Sequence, residues 1–133
     1  MDNARAATRV IVYDAGALVA AERNVRPLWA LHDAALRRDV SPLVPAGVLA
    51  QVWRGDPQAN LSRLLAGCTV TPLDESLARS VGTLCGQAQA SNVVDASVVV
   101  LARVMAAPVV TGDAVDLRAL AGAAGWPITI HEI

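Results

Sequence analysis

Residues 9–16 have the sequence Arg-Val-Ile-Val-Tyr-Asp-Ala-Gly, a short apolar run that ends in an acidic residue and a glycine. β-Branched residues dominate the run, and the Asp-Ala-Gly that follows is typical of a turn at the end of a strand. The pattern therefore predicts a buried strand from Arg9 to Tyr13, with Asp14 at its carboxyl end.

The same alternation of short apolar runs and longer helical patterns continues along the chain. Four further runs predict strands at Pro42–Pro45, Cys68–Thr71, Pro108–Thr111 and Ile128–Ile130. Helical spacing and capping residues predict helices at Ala17–Ala21, Val25–Arg38, Gly47–Trp53, Gln58–Ala66, Asp74–Ala90, Val93–Met105 and Val115–Ala124. Parallel strands need crossover connections, so we expect an α/β fold, a three-layer α/β/α sandwich with a central parallel sheet of four to five short strands. With 133 residues and no linker or repeat, the chain is expected to be a single domain, 1–133.

Composition and charge exclude several classes of function. Eleven basic against twelve acidic residues give a net charge of −1, so no overall basic field holds nucleic acid. All basic residues are Arg, which excludes a lysine nucleophile or a P-loop lysine and disfavours a flavodoxin-like phosphoacceptor domain. Cys68 and Cys85 lack metal-ligand spacing and are expected to be reduced core residues. No apolar run reaches the roughly 18 residues of a membrane span, so we expect a soluble cytoplasmic protein.

Four aspartates stand where a parallel sheet builds its sites. Asp14 follows the first predicted strand, Asp95 lies in the first turn of a predicted helix, and Asp113 and Asp116 follow the fourth strand. Ligand sites of parallel α/β sheets lie at the carboxyl ends of the strands. We therefore expect the four carboxylates to meet at one edge and to bind a divalent metal.

Each of the four acids also has a purely structural interpretation. Asp113 is a candidate N-cap, and Asp14 a candidate turn residue. Asp95 and Asp116 lie at the expected N3 position, where a carboxylate complements the helix dipole. The convergence of all four on one edge favours the metal site over four separate structural roles.

Three motifs follow one another along the chain: the first strand ending in Asp14-Ala15, the helix start Asn92-Val93-Val94-Asp95-Ala96, and Val109-Val110-Thr111-Gly112-Asp113 before a closing helix and strand. In this order they resemble the motifs of PIN domains, in particular those of the VapC-type toxins of toxin–antitoxin systems. The resemblance covers nearly the whole chain in the expected order.

This resemblance implies an endoribonuclease that depends on Mg²⁺ or Mn²⁺, in which acidic residues hold the metal that activates water against an RNA phosphodiester. By position, Asp14, Asp95 and Asp113 match three of the four family carboxylates, and Asp116 matches an additional acid present in many members. The family also implies a homodimer and a cognate antitoxin whose C-terminal segment blocks the acidic pocket.

Gln51 departs from the family pattern, because its position normally carries the second carboxylate. An amide oxygen is a neutral ligand, weaker than a carboxylate toward a hard cation. Asp116, three residues after Asp113, is expected on the same helical face and would restore the count of four. Gln51 would then hold a water or a phosphate oxygen by hydrogen bonding. A catalytically weak PIN-like module that binds RNA or protein is therefore the alternative.

Arginines are the expected substrate contacts, because an acidic pocket needs basic groups on its rim to approach phosphate. Arg54 follows the helix that carries Gln51, and Arg23 and Arg26 follow the helix after Asp14. Taken singly, each of these arginines is more readily interpreted as solvated surface charge.

The remaining aromatic and imidazole side chains carry weaker signals. Trp29, Trp53 and Trp126 are expected as core or interface anchors, with base stacking as the alternative. His32 and His131 have no adjacent nucleophile and no metal-ligand spacing, so both are expected at the surface.

Overall fold

The computed structural model describes residues 10–55 and 57–133, so the predicted strand start at Arg9 lies outside the described residues. Within them, the strands are β1 (Val12–Tyr13), β2 (Leu43–Pro45), β3 (Thr69–Thr71), β4 (Val109–Thr111) and β5 (Ile130–Glu132). The helices are α1 (Ala15–Glu22), α2 (Arg26–Arg37), α3 (Ala46–Val52), α4 (Ala59–Ala66), α5 (Glu75–Ala88), α6 (Val93–Met105) and α7 (Val115–Ala124).

The five strands form one sheet in the order β3-β2-β1-β4-β5. Every neighbouring pair is parallel. The predicted α/β class with a parallel sheet of four to five short strands is therefore confirmed.

The strand order contains a switch point between β1 and β4. From β1 the chain moves outward on one side through β2 and β3, and β4 and β5 then fill the other side. At such a point the connections leave in opposite directions and open a crevice at the carboxyl ends of the two central strands. Asp14 directly follows β1, and Thr111 is the last residue of β4.

Helices cover both faces of the sheet. α5, α6 and α7 pack on one another, and α1 packs on α2 and α4. α3 lies between the two groups and contacts both α1 and α6. α6 is buried over the whole of residues 96–102, as expected for a helix enclosed by the sheet and its neighbours.

Some element boundaries differ from the predictions. α1 begins at Ala15 rather than Ala17, because Asp14 caps it. β5 begins two residues later than predicted, at Ile130, because pairing with β4 sets its register, with Val109 opposite Ile130. No helix in the described part of the chain is long and apolar enough to cross a membrane.

The prediction for His32 was wrong, because its side chain is only 2% exposed. Its Nδ1 lies 2.8 Å from the Tyr13 hydroxyl, and the Trp29 ring meets its edge. This hydrogen bond between side chains 19 residues apart satisfies the polar atom that burial takes from water. His131 is exposed, as predicted.

The predictions for the tryptophan and cysteine side chains are confirmed in part. Trp29 and Trp126 are half-buried and pack against the core, whereas Trp53 is 40% exposed. Cys68 and Cys85 are free thiols, as predicted, but half-buried rather than fully in the core.

Candidate functional site

Asp14 occupies the switch point with both carboxylate oxygens engaged. It is 7% exposed and caps α1, since its Oδ1 accepts a hydrogen bond of 2.9 Å from the Ala17 N–H. Its Oδ2 accepts a hydrogen bond from the Thr111 hydroxyl. Each carboxylate oxygen has a further lone pair. The side chain is therefore fixed in orientation and keeps capacity for a ligand.

Thr111 is a residue of the candidate site that the sequence analysis missed. Its Oγ1 also lies 3.0 Å from the Asp113 carbonyl oxygen and accepts a hydrogen bond from the Asp113 N–H. The hydroxyl thus joins the ends of β1 and β4. The register of the sheet would have revealed this residue. Tyr13 pairs with Val110, so the next positions along the two chains are Asp14 and Thr111.

The loops after β1 and β4 are in close contact. A Cβ atom at Gly16 would lie 2.9 Å from the Gly112 backbone N and 3.2 Å from Asp14 Oδ1. Only a residue without a side chain fits this approach without a shift of the backbone. The two glycines therefore bring together the loops that carry Asp14 and Asp113.

Asp95 is placed by the cap of α6. The Asn92 Oδ1 accepts from the Asp95 N–H at 3.0 Å, and the Asn92 Nδ2 donates to Asp95 Oδ2 at 2.9 Å. This reciprocal pair is an amide version of a capping box. It fixes the rotamer of a half-buried carboxylate at N3 of α6, as the sequence predicts.

Asp113 and Asp116 are both exposed. Asp113 stands one residue before the N-cap Ala114, and its Oδ1 accepts from the Val115 N–H at 3.1 Å. Asp116 is the second residue of α7 rather than the predicted third. Because Asp113 lies outside the helix, the two acids do not share a helical face in the way expected from their spacing.

The electrostatics connect three of the four acids. Burial raises the pKa of Asp14, hydrogen bonds from Thr111 and Ala17 oppose the shift, and the charge of Asp95 adds to it. Burial also raises the pKa of Asp95, and the charge of Asp116 adds to that shift. These acids are close enough to repel, which is an arrangement that a cation would stabilise.

The positions of the side chains bear on whether a metal fits. Within residues 10–55 and 57–133, no three Asp, Glu, His or Cys side chains are gathered closely enough to hold a metal ion. The donor chemistry of Asp14 and Asp95 nevertheless suits a hard cation, which prefers carboxylate oxygens. The described residues therefore hold no assembled three-ligand site, and it is the donor chemistry of these carboxylates that is consistent with a hard cation.

Gln51 is exposed on α3, a helix that contacts α6. Gly47, one helical turn earlier, faces α6, since a Cβ there would lie 3.4 Å from a Val94 methyl. Residues four apart share a helical face. Gln51 therefore lies on the side of α3 that faces the helix carrying Asp95.

The structure does not bring the predicted arginines to the acidic site. The Arg54 guanidinium folds back onto its own helix and donates to the carbonyls of Gln51 and Trp53 at 2.8 and 2.7 Å. Arg23 and Arg26 are exposed beyond the far end of α1, about 12 Å of helix from Asp14. Solvated or structural roles describe these three side chains better than direct contact with the acids.

The solved structures that match this chain include two that align over nearly its full length. One is a chain in the crystal structure of VapBC2 from Rickettsia felis bound to a DNA fragment from their promoter, with a TM-score of 0.70 and 14% identity over 93% of this chain and 98% of that chain. The fold is PIN-like. The other is a chain in the structure of FitAB bound to an IR36 DNA fragment, with a TM-score of 0.60 and 17% identity over 92% of this chain and 94% of that chain.

These matches confirm the PIN-like fold expected from the resemblance, and at such identities the likeness concerns the fold alone. Neither a family model nor a curated protein matches the sequence. The chemistry of the site therefore has to be argued from its own residues.

Proposed function

We propose that the chain is a metal-dependent endoribonuclease toxin that is inhibited by a cognate antitoxin. The observation that carries the proposal is the pair Asp14 and Asp95 at the carboxyl edge of the central strands. Hydrogen bonds fix both carboxylates, and the pKa of Asp14 is raised, chiefly by burial and further by the charge of Asp95. Groups with perturbed pKa values that lie together in a crevice are typical of functional sites.

Asp14 and Asp95 are the residues that would hold Mg²⁺ or Mn²⁺, with Asp113 or Asp116 adding a ligand after a change of rotamer. When bound, such a cation would supply Lewis-acid chemistry at a phosphodiester. Thr111 and Asn92 orient the two ligands through the hydrogen bonds described above. The Gln51 amide would donate a hydrogen bond to a phosphate oxygen of the RNA, which needs no negative charge at that position.

The test is cleavage of a mixed RNA pool by the purified chain with Mg²⁺, with Mn²⁺ or with EDTA. The Asp95→Asn variant should lose the activity, because the amide removes a ligand charge while it keeps the size and the oxygen that accepts from Asn92. The matched control is Glu75→Gln, which removes a carboxylate from an exposed surface pair with Arg79. Cleavage that survives EDTA, or that is equal in Asp95→Asn and Glu75→Gln, would count against the proposal.

The second candidate is a PIN-like module that binds RNA or protein with little catalysis. It is favoured by Gln51 in place of a carboxylate and by the use of Asp113 Oδ1 as a cap for Val115. Gln51→Glu separates the two functions. A large gain in cleavage would indicate an enzyme weakened by Gln51, whereas no gain over an active wild type would indicate that Asp116 already compensates. Binding of RNA without cleavage in both proteins would support the module.

An antitoxin partner is supported by the composition of the two fold neighbours, since VapBC2 and FitAB are each a complex. Val93 and Val115 are 49% and 70% exposed and stand beside Asp95 and Asp116 in the first turns of α6 and α7. Apolar side chains around an acidic pocket suit a peptide that inserts an arginine between carboxylates. Co-purification with the product of the adjacent operon gene tests this, and Val115→Asp should weaken the complex. Failure of the two chains to associate would contradict the partner.

A homodimer is the expected assembly, in keeping with the apolar composition and with exposed Val104 and Met105 near the end of α6. Light scattering should give twice the chain mass of 13.8 kDa at micromolar concentration. A constant monomer mass would exclude this assembly.

A further inference from the structure

A polar cavity of about 410 Å³ lies between α2, the turn that precedes it and α4. Asn24, Arg26, Trp29, His32 and Arg63 are part of its wall, and none of the four aspartates of the candidate metal site lines it. The volume is in the range of small-ligand pockets. The cavity is therefore a place for a ligand that the proposed nuclease chemistry does not use.

The wall of this cavity carries a net positive charge. Arg26 and Arg63 line it together with one acidic side chain, Asp33. The Arg63 guanidinium lies 4.0 Å over the Trp29 ring, and the Trp29 Nε1–H donates to the Ala21 carbonyl at 3.2 Å. Stacking uses the face of the guanidinium and leaves its N–H groups at the edge, which suits bidentate recognition of an anion.

The start of α2 adds to the positive field of the cavity. Arg26 is the first residue of this 12-residue helix, Val25 gives no side-chain cap, and the first turn has no acidic residue. A cation at this end opposes the helix dipole, and an anion would be stabilised there. Arg26 therefore gains nothing from the dipole of its own helix, whereas it would pair with an anion bound at this end.

His32 contributes a buried ring to the wall of the same cavity. The Tyr13 hydroxyl makes its one hydrogen bond, among those of the described residues, with His32 Nδ1. A buried hydroxyl needs an acceptor, so Tyr13 donates to Nδ1 and the imidazole proton resides on Nε2. His32 is 98% buried and lines the cavity, and among the described residues its Nε2–H has no hydrogen-bond partner, which leaves it as a donor for a ligand.

We propose that this cavity is a binding site for a phosphate group, held by Arg26, Arg63 and the His32 Nε2–H at the N-terminus of α2. The group would belong either to a free mononucleotide or to a strand of RNA. The site goes beyond the proposed nuclease function, and its test does not depend on cleavage.

The test uses the two histidines of the chain as reporters. Sodium phosphate is titrated into the full chain at fixed neutral pH and matched ionic strength, and the imidazole Cε1–H signals are followed by NMR. The His32 signal should shift and saturate, whereas the signal of exposed His131 should not. Equal responses of both histidines, or a response that never saturates, would overturn the site.

Two variants and a control test the residues. Arg26→Gln and Arg63→Gln should each weaken phosphate binding roughly tenfold, since each removes a charge-assisted hydrogen bond. Arg37→Gln, on α2 but outside the cavity wall, should bind as the wild type does. Because Arg63→Gln also removes a contact with Trp29, Arg26→Gln is the decisive variant, and unchanged binding by a folded Arg26→Gln would overturn the site.

A further experiment identifies the molecule to which the bound phosphate group belongs. Adenosine 5′-monophosphate and a short RNA oligonucleotide are compared in the Asp95→Asn background, where the proposed cleavage is absent. Tighter binding of the oligonucleotide assigns the site to an RNA strand, and equal or weaker binding assigns it to a free nucleotide. If neither shifts His32, the proposal fails even if the wild type cleaves RNA.

Discussion

The contact between Gly16 and Gly112 predicts that Gly16→Ala both destabilises the protein and disturbs Asp14. The added Cβ would lie 2.9 Å from a backbone nitrogen and 3.2 Å from Asp14 Oδ1. The first atom belongs to the main chain of the neighbouring loop and does not move as the end of a flexible side chain does. The loops after β1 and β4 must therefore separate, and the hydrogen bond between Thr111 and Asp14 must lengthen.

The magnitude follows from two opposed effects. Overpacking a tight site costs about 1–3 kcal/mol, and alanine in place of glycine within a helix returns up to about 1 kcal/mol. Because the contact is with rigid backbone, the overpacking cost should lie near the upper end of its range. We therefore expect the free energy of unfolding to fall by about 1–2 kcal/mol. For 133 residues this lowers the midpoint of thermal unfolding by about 4–8 °C, which calorimetry measures.

Gly82→Ala is the matched control for this prediction. Gly82 is exposed within α5, and a Cβ there would meet nothing within 4 Å. The control should gain about 1 kcal/mol from helix propensity alone, so the two variants should move in opposite directions. A Gly16→Ala protein as stable as the wild type would refute the argument that these loops are locked by contact.

Three further predictions concern the polar side chains. Asp95→Asn should raise the stability of the metal-free protein, because it removes a charge that burial and Asp116 disfavour. The folded-state pKa of Asp95 is raised above 3.8, so the gain in unfolding free energy should be absent below pH 3.8 and grow as pH rises through the folded pKa. A gain that stays constant across pH in urea titrations would contradict this prediction. Asn92→Ala should lose about 0.5–2 kcal/mol by removing the cap of α6, whereas Asn92→Ser should retain most of it, and equal calorimetric midpoints for the two would exclude a capping role. His32→Phe should lose about 1–3 kcal/mol by leaving the Tyr13 hydroxyl without a partner, and adding Tyr13→Phe should recover part of the loss; strictly additive unfolding energies would exclude the pair.

The fold was predictable because local signals and global topology agree. Short β-branched runs bounded by Pro, Gly or Asp mark the strands, and helical spacing marks most connections between them. The ends of the elements were less predictable, since contacts with other elements set them. β5 starts at Ile130 because Val109 lies opposite, which the sequence around residue 128 does not encode.

The sequence predicted a site residue only where the residue type is unusual for its surroundings. Asp14 and Asp95 stand out as acids in an apolar chain, whereas Thr111 gains its role from the register that places it beside Asp14. His32 was misplaced for a similar reason, since its partner Tyr13 is 19 residues away on a strand. Roles that depend on a partner in another element are not visible in local spacing.

The structural and the functional interpretations of Asp14 and Asp95 turn out to be compatible. The bond from the Ala17 N–H that makes Asp14 an N-cap also fixes the orientation of its carboxylate, and Asn92 does the same for Asp95. Burial nevertheless raises the pKa of both acids, so the fold keeps these charges at an energetic cost that a cation would offset. Neutralising Asp95 should therefore stabilise the protein and abolish the proposed cleavage, and a purely structural capping residue would give neither effect.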